Sequence, residues 1–156
     1  PNLKWEKIPV KFESDTRNLG FDLNYLKDGF ALNVGNPHVI FFVEDINEKN
    51  LISNSNEIKS SGFFPQGVNI TVVEVVSKDQ IKILTFERGV GITKACGSGA
   101  AASVFASHKM NFCNDKVKVC MNGGNLDVEI TKDDHILTIG DAKHVFEGKI
   151  ELKVES

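Results

Sequence analysis

The chain has 156 residues, 41% of them hydrophobic and 25% charged, which excludes disordered and collagen-like classes and fits one domain over 1–156. Eighteen Lys and Arg against 21 Asp and Glu leave a net charge of -3, so the basic excess of a nucleic-acid binder is missing. The longest apolar run, 39–43, falls far short of the roughly 20 residues that span a bilayer, and no secretory signal pattern is visible. Neither nucleic acid nor membrane is expected as a partner. Pro1 opens the sequence without an initiator Met, so a processed product or a fragment is expected.

Short β-prone runs dominate. Residues 7–13, 29–34 and 39–43 read as strands separated by Gly, Asn and Pro punctuation. The most polar stretch, 50–61, reads as a short helix or a surface loop. Residues 68–76 and 80–86 read as a hairpin joined at Ser77-Lys78-Asp79. One segment breaks the pattern: 97–110, GSGAAASVFASHKM, spreads Ala, Val and Phe around nearly every side of a helix, the mark of a buried one. Strands at 117–121 and 126–130 flank the turn Asn122-Gly123-Gly124-Asn125, and 135–139 adds one more. Many short strands and one buried helix predict an α+β domain, a β-rich barrel or half-barrel wrapped around that central helix.

Three cysteines, Cys96, Cys113 and Cys120, argue against a secreted disulfide scaffold, and a reducing cytoplasm is the expected location. Together with four histidines they offer no closely spaced ligand pair, so no structural metal is expected. Ala95-Cys96-Gly97-Ser98-Gly99 is different in kind, because it places a cysteine just before the buried helix. Unpaired N–H groups at a helix start favour a thiolate, and uncovered glycine amides suit a substrate carboxylate.

Other polar residues interrupt apolar runs. Gly35-Asn36-Pro37-His38 lies between two strands, and Asn before Pro is held extended, which should aim its amide outward. Asn69 sits in a run of Val, Ile and Thr. It is either a hydrogen-bonded core residue or a ligand contact. Glu87-Arg88-Gly89 ends a strand. It is either a solvated turn or a clamp for an ammonium and a carboxylate.

In combination these residues resemble the C-terminal half of the diaminopimelate epimerase family, the cofactor-independent amino-acid epimerases of lysine and peptidoglycan-precursor synthesis. The resemblance runs through Gly35-Asn36-Pro37-His38, Val68-Asn69 and Glu87-Arg88-Gly89-Val90-Gly91. It continues through Thr93, Ala95-Cys96-Gly97-Ser98-Gly99-Ala100 and Val145-Phe146-Glu147-Gly148. Ser98 stands where Thr is common and keeps the hydroxyl. The family implies two similar domains with the site between them, and an isomerase that moves a proton between two cysteines without pyridoxal phosphate or metal. On that resemblance Cys96 is one acid/base cysteine. Gly97 and Ser98 hold the α-carboxylate. Glu87 takes the α-ammonium and, with His38, biases proton transfer. Asn36, Asn69 and Arg88 bind the distal groups of a small amino-acid substrate.

The family's second cysteine, in an Ala-Cys-Gly-Asn-Gly motif, has no counterpart here, and Cys113 and Cys120 lack its glycine-rich setting. A missing N-terminal domain of the same protein is therefore expected as a partner, with no epimerisation by this chain alone. Apolar surface left open by its absence would also favour a homodimer. Two readings compete with an epimerase of diaminopimelate. One is another isomerase of the superfamily, such as a proline racemase or a phenazine-pathway isomerase. The other is a cysteine hydrolase with a Cys96–His38 dyad. For the fragment itself, a non-catalytic binding module is a third.

Overall fold

The computed structural model describes residues 1–152. After a 3-10 turn at Trp5–Lys7, a small ribbon pairs β1 (Phe21–Asp22) with β2 (Lys27–Asp28). The main elements follow: β3 (Phe30–Asn33), β4 (Pro37–Phe42), α1 (Glu48–Ser60), β5 (Asn69–Ser77), β6 (Gln80–Glu87) and β7 (Gly91–Thr93). Then come α2 (Gly97–Lys109), β8 (Lys116–Met121), β9 (Gly124–Ile130) and β10 (Ile136–Ile139). One eight-stranded sheet runs β10-β9-β8-β6-β5-β4-β3, with β7 beside β6. The edge of β6 opposite β5 is shared: Gln80–Lys82 pairs with β8, and Thr85–Glu87 pairs with β7.

The strand expected at 7–13 is absent. Trp5–Lys7 is a 3-10 turn, and the chain then runs without regular structure as Ile8 and Val10 drop into the core. Ile8 and Val10 are satisfied by burial and not by pairing, while Phe12 of the same run stays exposed. The polar stretch at 50–61 is a helix, started two residues earlier and capped by Asn47, whose Oδ1 accepts from Asn50 N–H at 3.0 Å. Ser77 belongs to β5, and the turn after β8 is only Asn122-Gly123, because Met121 and Gly124 already face each other.

Two parallel pairs, β4/β5 and β6/β8, are each joined through a helix, as parallel neighbours require. Because β6 runs opposite to β5, right-handed crossovers put α1 and α2 on opposite faces of the sheet. Strand alternation then divides the core. Phe30, Leu32, Ile40, Val73, Ile81 and Ile83 pack with α2; Val39, Phe41, Ile70, Val72 and Leu84 pack with α1.

Helix α2 touches β3, β4, β5, β6, β8, β9 and β10. Seven flat strands would be about 29 Å across at 4.8 Å spacing, against a helix roughly 10–12 Å wide. One helix reaches all seven only because the sheet curls around it, giving the expected half-barrel. Ala100, Ala102, Val104 and Ala106 are fully buried, and their small side chains permit that close wrap. Val145 and Phe146 of the last motif are 85% and 81% exposed and carry no helix or strand. Among the described residues no helix is long and apolar enough to cross a membrane.

Candidate active site

The starts of β4 and β5 and the end of β6 meet at one end of the sheet, because β4 and β5 are parallel and β6 returns antiparallel. His38 and Asn69 are register partners there. Helix α2 begins at the same end, after β7. Cys96 is its N-cap, in extended backbone (φ -142°, ψ 103°), and Sγ accepts from Gly99 N–H at 3.3 Å. The N–H groups of Gly97 and Ser98 have no intrahelical partner. A Cβ at Gly99 would sit 2.9 Å from Thr85 Oγ1 and 3.1 Å from Cys96 Sγ, so glycine is what admits the sulfur to the helix axis.

A polar relay surrounds that sulfur. His38 Nε2 lies 3.1 Å from both Asn36 Oδ1 and Ser98 Oγ, and Asn36 Nδ2 donates to Ser98 Oγ at 3.3 Å. Asn36 Oδ1 can only accept, which assigns the His38 proton to Nε2. That single proton is shared between Asn36 Oδ1 and Ser98 Oγ, Asn36 Nδ2 also donates to Ser98 Oγ, and the hydroxyl proton is left for Cys96 Sγ, 3.6 Å away. Burial pushes the His38 imidazole down to about 4, so it is neutral near pH 7. The Asn36 amide turns inward to α2 and not outward, since Ser98 and His38 offer it partners that solvent would otherwise supply. A direct Cys96–His38 dyad is not formed: the Ser98 hydroxyl stands between them, against the hydrolase reading.

Asn69 is spent on backbone. Its Nδ2 donates to Pro37 C=O at 3.0 Å and its Oδ1 accepts from Arg88 N–H at 2.9 Å, tying β4, β5 and the turn after β6 together. Glu87 and Arg88 do not form one clamp. The Glu87 carboxylate accepts from Thr93 Oγ1 at 2.6 Å, whereas the Arg88 guanidinium donates to Gln66 C=O at 2.9 Å. Two positions along β6 from Thr85, Glu87 shares the face on which α2 starts. Arg88 instead lies against Gly67, where a Cβ would come within 2.7 Å of its Cδ. Beside the relay an open concavity of about 620 Å³ is lined by Asn33, Gly35, Ser98 and Ala101 among others.

Cys113 packs in the α2 core, where burial pushes its thiol up to about 11, and Cys120 lies on β8 beside Gln80 Nε2. Both match the reading of them as ordinary core or strand positions. Among the described residues no cluster of His, Cys, Asp or Glu is arranged to hold a metal. Several contacts have no counterpart in the sequence reading. These are the Thr71–Thr85 hydroxyl pair at 3.0 Å, Thr93 on Glu87, and Met121 Sδ accepting the Cys96 N–H at 3.5 Å. The only signal for the first was a Thr at alternating places in otherwise aliphatic strands.

The family model for diaminopimelate epimerase matches residues 30–145. A diaminopimelate epimerase of Methanocaldococcus jannaschii is 42% identical over 166 residues, covering 96% of this chain and 56% of the relative. One from Zymomonas mobilis is 35% identical over 151 residues, covering 97% of this chain and 56% of its own. The chain thus spans about half the length of the curated relatives it matches. A crystal structure of a Bacillus anthracis phenazine biosynthesis protein of the PhzF family superposes with a TM-score of 0.51 at 15% identity. That match covers 73% of this chain and 38% of that one, a likeness of fold alone.

Proposed function

The chain belongs to the diaminopimelate epimerase family, and from that premise we propose that it forms one half of an isomerase site for LL-diaminopimelate. The reaction yields the meso form by moving the α-proton between two sulfurs. Cys96 is one of the pair, and the other comes from an N-terminal domain carrying the family's second cysteine. The observation that carries this reading is the sulfur itself, capping a buried helix within reach of the Ser98 hydroxyl.

The proton steps balance simply. One thiolate takes the α-proton and becomes a thiol, leaving a carbanion conjugated with the α-carboxylate. The opposite thiol then delivers a proton to the other face and becomes the thiolate. The free N–H groups of Gly97 and Ser98 suit that carboxylate as negative charge builds on it, and exclusion of water strengthens them. Glu87 receives the α-ammonium. Asn36, Asn69 and Arg88 bind the distal ammonium and carboxylate, for which Arg88 leaves its Gln66 contact and Asn69 uses its spare donor and lone pair. Neutral His38 acts through Ser98, whose hydroxyl it fixes toward Cys96.

The test is reconstitution. This chain alone should not exchange the α-proton of LL-diaminopimelate for deuterium. Joined to the N-terminal half of a full-length relative, it should exchange and epimerise. Turnover by the isolated chain, or epimerisation that survives Cys96→Ala in the joined protein, would contradict the proposal. Racemisation of proline in preference to diaminopimelate would redirect it.

A further inference from the structure

The three residues between β7 and α2, Lys94, Ala95 and Cys96, carry the sulfur yet belong to no regular element. Lys94 and Ala95 are exposed. The Cys96 C=O accepts the Ala100 N–H at 2.9 Å as the first bond of α2, and two further main-chain groups of the segment are held by the tip of the β8–β9 hairpin. Gly123 N–H donates to Lys94 C=O at 2.6 Å, and Cys96 N–H donates to Met121 Sδ at 3.5 Å.

The approach is close. A Cβ on Gly123 would meet Lys94 O at 3.0 Å, Ala95 Cβ at 3.1 Å and Lys94 C at 3.2 Å. Two of those atoms are backbone and cannot swing aside. Gly123 is therefore not required by its own φ, as Gly124 is at +140°, but by what it touches. Asn122 between Met121 and Gly123 is exposed and makes no hydrogen bond among the described residues.

We infer that Met121 and Gly123 are positioning residues for Cys96: the hairpin tip fixes the 94–96 backbone so that the sulfur stays on the Gly99 N–H at the mouth of α2. Nothing in a strand-turn-strand pattern announces this, since the hairpin's own pairing uses the main chain of Met121 and not its sulfur, and Gly123 lies in the turn at a φ open to other residues. The inference names what holds the acid/base sulfur of the proposed reaction, but it stands on thiol geometry and can fail separately from it. The ionisable groups flanking the sulfur are His38, reached through Ser98, Glu87 on the α2 face of β6, and Lys94, exposed within the segment itself. None of these side chains makes the hairpin contacts, which use the Lys94 carbonyl and the Cys96 N–H, so a change at the tip reads on Cys96.

The experiment needs only this chain. Alkylation of Cys96 by iodoacetamide is followed by peptide mass spectrometry across pH, with far-UV circular dichroism as a check on folding. With Gly123→Ala, Cys96 should alkylate about fivefold more slowly at neutral pH, with the midpoint of its pH profile moved upward. The limiting rate at high pH should not fall, because a loosened loop exposes the sulfur more. Met121→Leu keeps the bulk without a good acceptor and should move the midpoint the same way by less. It decides the matter if Gly123→Ala does not fold. Asn122→Ala should superimpose on the parent. Unchanged midpoints in both folded variants, or an equal shift in Asn122→Ala, would overturn the inference whatever the protein catalyses.

Discussion

The two helices make a controlled comparison. Each has 13 residues, each starts from an extended N-cap residue, and each cap side chain accepts from the N–H three residues on. In α1 the cap is Asn47, exposed, with an amide oxygen at 3.0 Å; in α2 it is Cys96, 8% exposed, with a sulfur at 3.3 Å. Oxygen is the better acceptor and Asn among the best caps, so α1 is capped as stability alone would choose. Sulfur is a weak acceptor, and a cysteine there stabilises the helix little. The same contact, run in reverse, is the helix stabilising a thiolate. The helices differ in burial in the same sense. Only Leu51, Asn54, Ser55 and Ile58 of α1 are buried, whereas Gly99–Ser107 of α2 is buried on every side. A helix sunk in the core frays least, which suits the acid/base role proposed for the sulfur at its mouth.

The comparison breaks most sharply at the two caps. On the proposed function, Cys96→Ala in this chain joined to the N-terminal half of a full-length relative should lower conversion of LL- to meso-diaminopimelate by about 10²–10⁴-fold, the usual worth of a positioned acid or base. Its melting temperature should barely move. A variant that keeps its rate, or that unfolds, would make Cys96 a structural cap like Asn47.

Acid should act next. Folded His38 titrates at about 4 instead of 6.5, so between those values the unfolded chain binds a proton that the native one refuses. The stability it lends is whole above about 6.5 and is lost as pH falls toward about 4, on the order of 3 kcal/mol in all. Urea unfolding at pH 7 and 4.5 should show that loss in the parent and not in His38→Gln. Equal losses in both would place the acid sensitivity elsewhere.

Packing separates the helices by a smaller margin. Ala102→Leu in α2 should cost about 1–3 kcal/mol by crowding the curled sheet, while Glu57→Ala on the exposed side of α1 should stay within about 0.5 kcal/mol. Denaturant midpoints compare them directly. Asn47→Ala should lose about 1 kcal/mol with thiol reactivity unchanged. Any effect of it on Cys96 alkylation would mean the two helices are coupled through the sheet.

The buried helix, both hairpins and the Cys96 loop were legible because each is local. An all-round apolar 13-residue run, alternation about a tight turn, and glycines after a cysteine are read within one stretch of chain. The first strand failed for the converse reason: the alternating run at 7–13 sinks Ile8 and Val10 into the α1-side core without pairing as a strand, an outcome set by segments distant in the chain. Within the site, Cys96, Ser98 and His38 were singled out from sequence, but their order was not. Ser98 stands between the other two because β4 passes beside the start of α2, a contact spanning 60 residues. Glu87 and Arg88, read as either a solvated turn or a clamp, part company as the strand ends.

By itself the sequence determined the residues of the candidate site and the helix that carries it, since propensity, periodicity and a capping position act over a few residues. The tertiary structure alone decided which proton faces the sulfur, where the Arg88 guanidinium rests, and that a distant glycine holds the loop. Those depend on distances between segments far apart in the chain, fixed only when the sheet curls around α2 and brings its strand ends to one mouth.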